Sequence, residues 1–341
     1  MWSALQIGAL YWGVEGIGDM SMLDRIAAAP ISWGVCEVPG WGLQLPVDRV
    51  LGEMAGLGIR ATELGAIGWL PTDPAQIRAT LDRHGLSLLG GFVPLVLHDP
   101  ARMAASRQLA KGAAAMMSAA GGRSFVTAVV SDPDDWSRPD LSDDDWKILV
   151  ENLAEIDEIV ADAGMQQVVH PHVDTLIETA AEMQRFLDDT VVSFCLDTGH
   201  LFIGGADVVA IADQYAERVG LVHLKDVSAP IAARLRAGEL TLMTATQAGL
   251  FPVLGSGDVP IGEVVSTVVA HHYAGWYVIE QDVALTGGEP PLGGGPLLDV
   301  SQSVAYIRDL AARCSEAPEH EETRVARNSS TPRAPLQGER K

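Results

Sequence analysis

The chain has 341 residues, 48% of them hydrophobic, which suits one large α/β domain with a sizeable core. Its 23 basic and 45 acidic residues give a formal net charge of −22, which repels phosphate backbones and anionic membrane surfaces and does not exclude a small neutral substrate. Three scattered cysteines, Cys36, Cys195 and Cys314, form neither a disulfide framework nor a zinc ribbon and suit a reducing, cytoplasmic setting; no run approaches the ~18 apolar residues of a membrane span.

Residues 1–26 open with MWSALQIGALYWGVEGIGD, which lacks the positive start of a signal peptide and is too rich in glycine for a helix. They read as a disordered extension, or as the product of an upstream start codon with Met20 or Met22 as the true start. Residues 27–314 repeat one pattern: a short apolar run, a turn, a longer amphipathic segment, a glycine. Strand candidates lie near Ile31, Ala61, Leu88, Val126, Val168, Phe194, Val222 and Val278. Helices are expected over DPAQIRATLDRHG, Ala101 to Ala120, the stretch from an N-cap at Ser142 to a stop at Gly164, Glu178 to Asp188, Asp207 to Arg218, and Val300 to Ala312.

Strands alternating with helices imply a parallel sheet, and eight such units predict a single-domain (β/α)8 TIM barrel. A doubly wound sheet is the alternative, disfavoured because no glycine-rich phosphate fingerprint follows the first strand. One unit is irregular. Val227 to Leu254 is a long insertion after strand seven that should lie over the C-terminal mouth as a lid or as a contact in a homo-oligomer. Residues 315–341 are polar and read as a disordered tail.

Enzymes of this architecture place their chemistry at the C-terminal ends of strands. Strand five ends at His170 and His172, strand six at Asp197 with His200 beyond, strand seven at His223 with Lys225 and Asp226, and strand eight at Glu280 with Asp282. From His170 to Asp197 is 27 residues and from Asp197 to His223 is 26, one unit each; the 57 from His223 to Glu280 is one unit plus the insertion. Each residue alone has a bland reading: Asp197 as a helix cap, the histidines as core residues, Glu280 as a partner of Lys225. Together, two imidazoles and two carboxylates on successive strands can hold a divalent cation, with either His170 or His172 supplying the first nitrogen.

The strings CLDTGH, VHLKD and YVIEQD resemble those of the xylose-isomerase-like, or sugar-phosphate isomerase/epimerase, barrels. APISWG, TELGAIGWLPTD, HPH and DTGHLFIGG resemble the inosose (2-keto-myo-inositol) dehydratase branch, over roughly Ala29 to Leu285. The resemblance implies a metal set of His170, Asp197, His223 and Glu280, with histidine where many epimerases carry glutamate. One negative ligand fewer makes the cation a stronger Lewis acid, and nitrogen tilts preference from Mg2+ towards Mn2+ or Co2+, with Fe2+ and Zn2+ also compatible. Loss of the paired carboxylates disfavours epimerisation and suits dehydration of a polyhydroxy ketone. Glu280 or Lys225 would then stand near the abstracted proton, and His172 or His200 near the leaving hydroxyl. Trp33, Glu63 and Trp69 are expected to line the pocket beside His172 and Lys225, with Glu37 and Trp41 as a lip. A ketose epimerase or sugar isomerase is the first alternative, and a non-catalytic sugar- or metal-binding barrel the second.

Overall fold

The computed structural model describes residues 21–316 apart from Glu37 and Asp135. Most of the expected extension and of the polar tail, together with Glu37 of the expected lip, lies outside the described residues. Eight parallel strands close into a barrel in sequence order. They are β1 (Ile26–Ala28), β2 (Ala61–Glu63), β3 (Ser87–Leu95), β4 (Ser124–Val129), β5 (Gln166–Val169), β6 (Phe194–Asp197), β7 (Val219–Leu224) and β8 (Tyr277–Ile279). The expected TIM barrel is the fold.

The first strand lies earlier than the reading near Ile31. Ala27 and Ala28 pair with Ala61 and Thr62, whereas Pro30 lacks an N–H and opens a 3-10 turn over Pro30–Trp33. A 3-10 turn at Met22–Arg25 precedes β1 and buries Met22 in the core.

The helices are α1 (Val47–Gly56), α2 (Pro74–Asp82), α3 (Met103–Ala119), α4 (Asp143–Asp162), α5 (Ala180–Asp189), α6 (Thr198–Ile203), α7 (Val208–Gln214), α8 (Ala229–Arg236), α9 (Leu242–Gln247), α10 (Ile261–Ala270) and α11 (Pro296–Glu316). Local chemistry sets several ends. Ser142 Oγ accepts the Asp145 N–H while Asp145 reaches back to Ser142, and Gly164 ends the same helix at φ 74°. The sequence reading missed α1, α6 and α10. Its helix from Asp207 to Arg218 is shorter, because Val208–Gln214 gives way to a 3-10 turn.

The period of two along a strand decides what faces inward. Ala27, Ala61, Leu89, Val126, Val168, Cys195, Leu221 and Val278, one from each strand, form the apolar plug of the barrel. Two residues further on, the same parity brings Glu63, His170, Asp197, His223 and Glu280 inward just above that plug. The outward residues belong to the much larger layer between sheet and helices.

Candidate active site

His170 Nε2 lies 3.2 Å from Asp197 Oδ2, and His223 Nδ1 lies 3.8 Å from that oxygen and 2.5 Å from Glu280 Oε2. One donor atom from each of these four buried residues lies within 4.8 Å of the donors of the other three. His170, rather than His172, belongs to that set. Glu63 Oε1 sits 3.1 Å from the other nitrogen of His223, so the ring is held from both sides. Asp197 also caps α6 by accepting the His200 N–H at 2.7 Å, so its structural and site readings hold together.

Lys225 completes the charge pattern. Its Nζ is 2.8 Å from Asp282, 3.6 Å from Glu280 and 3.0 Å from His200 Nε2. Gly199 makes room for its stem: a Cβ there would come within 2.6 Å of Lys225 Cγ. The His172 and His200 rings lie against each other, with centroids 3.8 Å apart and planes tilted by 37°. His172 Nδ1 donates to Val173 O at 2.6 Å, and its Nε2 has no hydrogen-bond partner among the described residues.

Electrostatics follow from burial. Burial, then the neighbouring charges of His223 and of His170 respectively, push His170 and His172 down to about 3, so both are neutral imidazoles with a lone pair to offer. Burial also drives His200 well below its usual range, helped by His172 and Lys225. Burial would raise Glu280, yet Lys225 and His223 outweigh it and hold the carboxyl well below its ordinary value. Burial would discharge Lys225, but Asp282, Glu280 and Asp197 outweigh it and keep the ammonium charged. Burial, with Glu280 adding to it, lifts Asp197 to about 6.

These residues fit a divalent cation. Four carboxylates, Glu63, Asp197, Glu280 and Asp282, are buried here against one obligate cation, Lys225. Such an excess is costly in a low-dielectric interior unless positive charge is supplied. His223 registers the same demand: burial pushes it down, but the neighbouring Cys195 sulfur and the carboxylates of Glu280 and Glu63 outweigh that and hold it well above its usual range. A dication among two imidazoles and two carboxylates answers that demand and uses the lone pair the neutral ring of His170 offers.

The structure places the other expected residues less centrally. Trp33 is fully buried in the layer between sheet and helices, because the 3-10 turn directs its Nε1 to Glu53 of α1 at 2.8 Å. Trp69 packs on the same layer and donates to Leu45 O at 3.0 Å. Trp41 is buried and donates to Val283 O, tying the loop after β1 to the loop after β8. The rings that adjoin the cluster are others. Phe92 lies 5.8 Å from His170, Trp136 lies 5.5 Å from His172, and Phe251 lies 6.0 Å from His200. The signals were present: Phe92 follows a Gly-Gly pair inside a strand, and Phe251 sits in the apolar GLFPVL of an otherwise mixed insertion.

Residues 51–310 match the family described as the xylose isomerase-like TIM barrel. An inosose dehydratase of Geobacillus kaustophilus is 32% identical over 270 residues, which cover 76% of this chain and 87% of that protein. The rhizopine catabolism protein MocC of Rhizobium meliloti is 30% identical over 271 residues, covering 76% and 82%. Among solved structures, an L-ribulose 3-epimerase superposes with a TM-score of 0.64 at 16% identity, covering 90% of this chain and 99% of its own. A probable 3-DHS dehydratase from Bacillus anthracis gives 0.64 at 14%, covering 83% and 98%. At those identities the two structures speak for the fold. With the family match spanning most of the barrel, and its cluster on the strand ends, the chain belongs to the xylose isomerase-like TIM barrel family, as an inosose dehydratase-like member of it.

Proposed function

We propose that the site removes water by β-elimination from a keto-cyclitol, 2-keto-myo-inositol or a close relative, and that it works with a bound divalent cation. The reaction class is that of a carbon–oxygen lyase, in keeping with the inosose dehydratases the chain is similar to. His170, Asp197, His223 and Glu280 would hold the cation, with Mn2+ or Co2+ favoured by the two nitrogen donors. When bound, it would supply Lewis-acid polarisation of the substrate ketone.

The chain's own residues divide the remaining work. Lys225, fixed between Asp282 and His200, stays charged and donates a hydrogen bond to oxygen that gains negative charge. The observation that carries the proposal is the close pair His172/His200, held neutral beside Lys225. A neutral imidazole cannot begin as the acid. It can take the proton from the carbon next to the ketone and then return that proton to the departing hydroxyl. The C–H and C–O bonds break, a C=C bond forms, and the hydroxyl leaves as water. His172 Nε2, the nitrogen left free, is the proton carrier in this reading, and Glu280 serves the cation rather than the proton. Two opposed carboxylate bases, which an epimerase uses to move a proton between faces, are not required.

Incubation of Mn2+-loaded protein with 2-keto-myo-inositol, followed by chromatographic separation and mass spectrometry, tests the reading. The expected product has lost one water. An isomer of unchanged mass would instead indicate epimerisation, and unchanged substrate a binding barrel.

A further inference from the structure

The insertion after β7 is tied shut by one carboxylate. Asp226, 1% exposed, accepts the N–H groups of Val227 and Val259 on Oδ1 at 2.9 and 3.1 Å, and those of Gly255 and Gly257 on Oδ2 at 2.8 and 2.9 Å. The fit is close: a Cβ on Gly257 would lie 2.3 Å from Asp226 Oδ1. Ser228 N donates to Leu250 O at 2.9 Å, and Asp258 N to Val227 O at 2.8 Å. Both ends of the loop are thus bound to the rim of the barrel, and the insertion is a fixed wall of its own chain's site.

That wall carries Phe251, 4% exposed, whose carbonyl accepts Gln281 Nε2 at 3.1 Å. The Lys225 ammonium lies 4.8 Å from the centroid of its ring. Carboxylates therefore hold Lys225 on one side and an aromatic face covers it on the other. A lysine stem has many rotamers, and a desolvated aromatic face attracts an ammonium directionally.

We propose that Phe251 is a positioning residue: its ring holds Lys225 Nζ over His200 and keeps water from that side of the site. The inference rests on the reading of Lys225 as the group that meets substrate oxygen. Asp226 acts one step further back, by fixing the loop that carries Phe251.

The chain has four lysines, Lys111, Lys147, Lys225 and Lys341, so acylation by acetic anhydride can be followed at each by peptide mass spectrometry. In the full-length, Mn2+-loaded protein, Phe251→Ala is expected to raise Lys225 labelling, relative to exposed Lys147, by about tenfold over the parent, and Asp226→Asn to raise it in the same direction. Phe251→Leu keeps the bulk and loses the aromatic face. It should leave Lys225 shielded but lower kcat on 2-keto-myo-inositol by about tenfold, with KM within about twofold. Unchanged Lys225 labelling in Phe251→Ala, or a parental kcat in Phe251→Leu, overturns the proposal. Should the parent itself not act on 2-keto-myo-inositol, the proposed function fails while the labelling arm still decides whether Phe251 covers Lys225.

Discussion

Glu63 reaches His223 on the nitrogen away from Nδ1, at 3.1 Å. A carboxylate there fixes the tautomer and orientation of a ligating imidazole and makes it a better donor. Glu63→Gln should therefore weaken cation affinity roughly 10- to 100-fold without emptying the site at saturation, as titration with Mn2+ would show. Asp197→Ala and His223→Ala remove donors outright and should leave the purified protein without stoichiometric metal; retained stoichiometry in both would refute the ligand set. His170→Glu restores the carboxylate that many epimerases carry. It adds a negative ligand, which weakens the cation as an acid, and a carboxylate that can return a proton. Dehydration should slow while deuterium from D2O enters recovered substrate more often per elimination; equal rates with no extra exchange would place His170 outside the chemistry.

At the scale of elements, two positions carry clear expectations. Ser142→Ala removes the cap of α4 and should cost about 1 kcal/mol, or roughly 2–4 °C in Tm by calorimetry. Gly257→Ala forces a methyl against Asp226 and Val227 O, so it should loosen the insertion and speed proteolysis within residues 237–249 relative to the parent. The strand ends were legible in the sequence because polar residues break apolar runs there, at His170, Asp197, His223 and Glu280. Ser142 and Gly164 were legible because caps are local chemistry. Trp33 and Trp69 misled because a tryptophan near a strand end does not reveal which layer its ring enters, and the turn at Pro30 sent Trp33 outward. Phe92, Trp136 and Phe251 reach the site through a strand irregularity and two long loops, whose paths depend on tertiary contacts such as the Asp226 knot. The helix Val47–Gly56 escaped notice because no side-chain cap opens it: Pro46 precedes it with no capping bond.

For the whole molecule, the site is a charge imbalance held inside an apolar barrel. Without a cation, Asp197 and Asp282 have carboxyls raised to about 6, mainly by burial. A carboxyl raised above its unfolded value contributes stability that is fully present below about 4 and is lost as pH rises through about 6. A bound cation relieves the same strain without a proton. Mn2+ at about 100 times its Kd should add about 2.7 kcal/mol, and chelation should lower Tm by correspondingly more at pH 8 than at pH 5. A chelator effect equal at both pH values would detach the cation from the buried carboxylates. No helix among the described residues is long and apolar enough to cross a membrane, and the −22 charge fits an enzyme that handles small neutral molecules. Elimination of water from a keto-cyclitol is the reaction proposed for this barrel. Its most direct test is the ultraviolet spectrum of 2-keto-myo-inositol mixed with Mn2+-loaded protein, with Asp197→Ala as control. An unsaturated-ketone or dione absorbance should grow with the parent and not with Asp197→Ala. A parent that consumes the substrate with no such absorbance, or leaves it untouched, would contradict it.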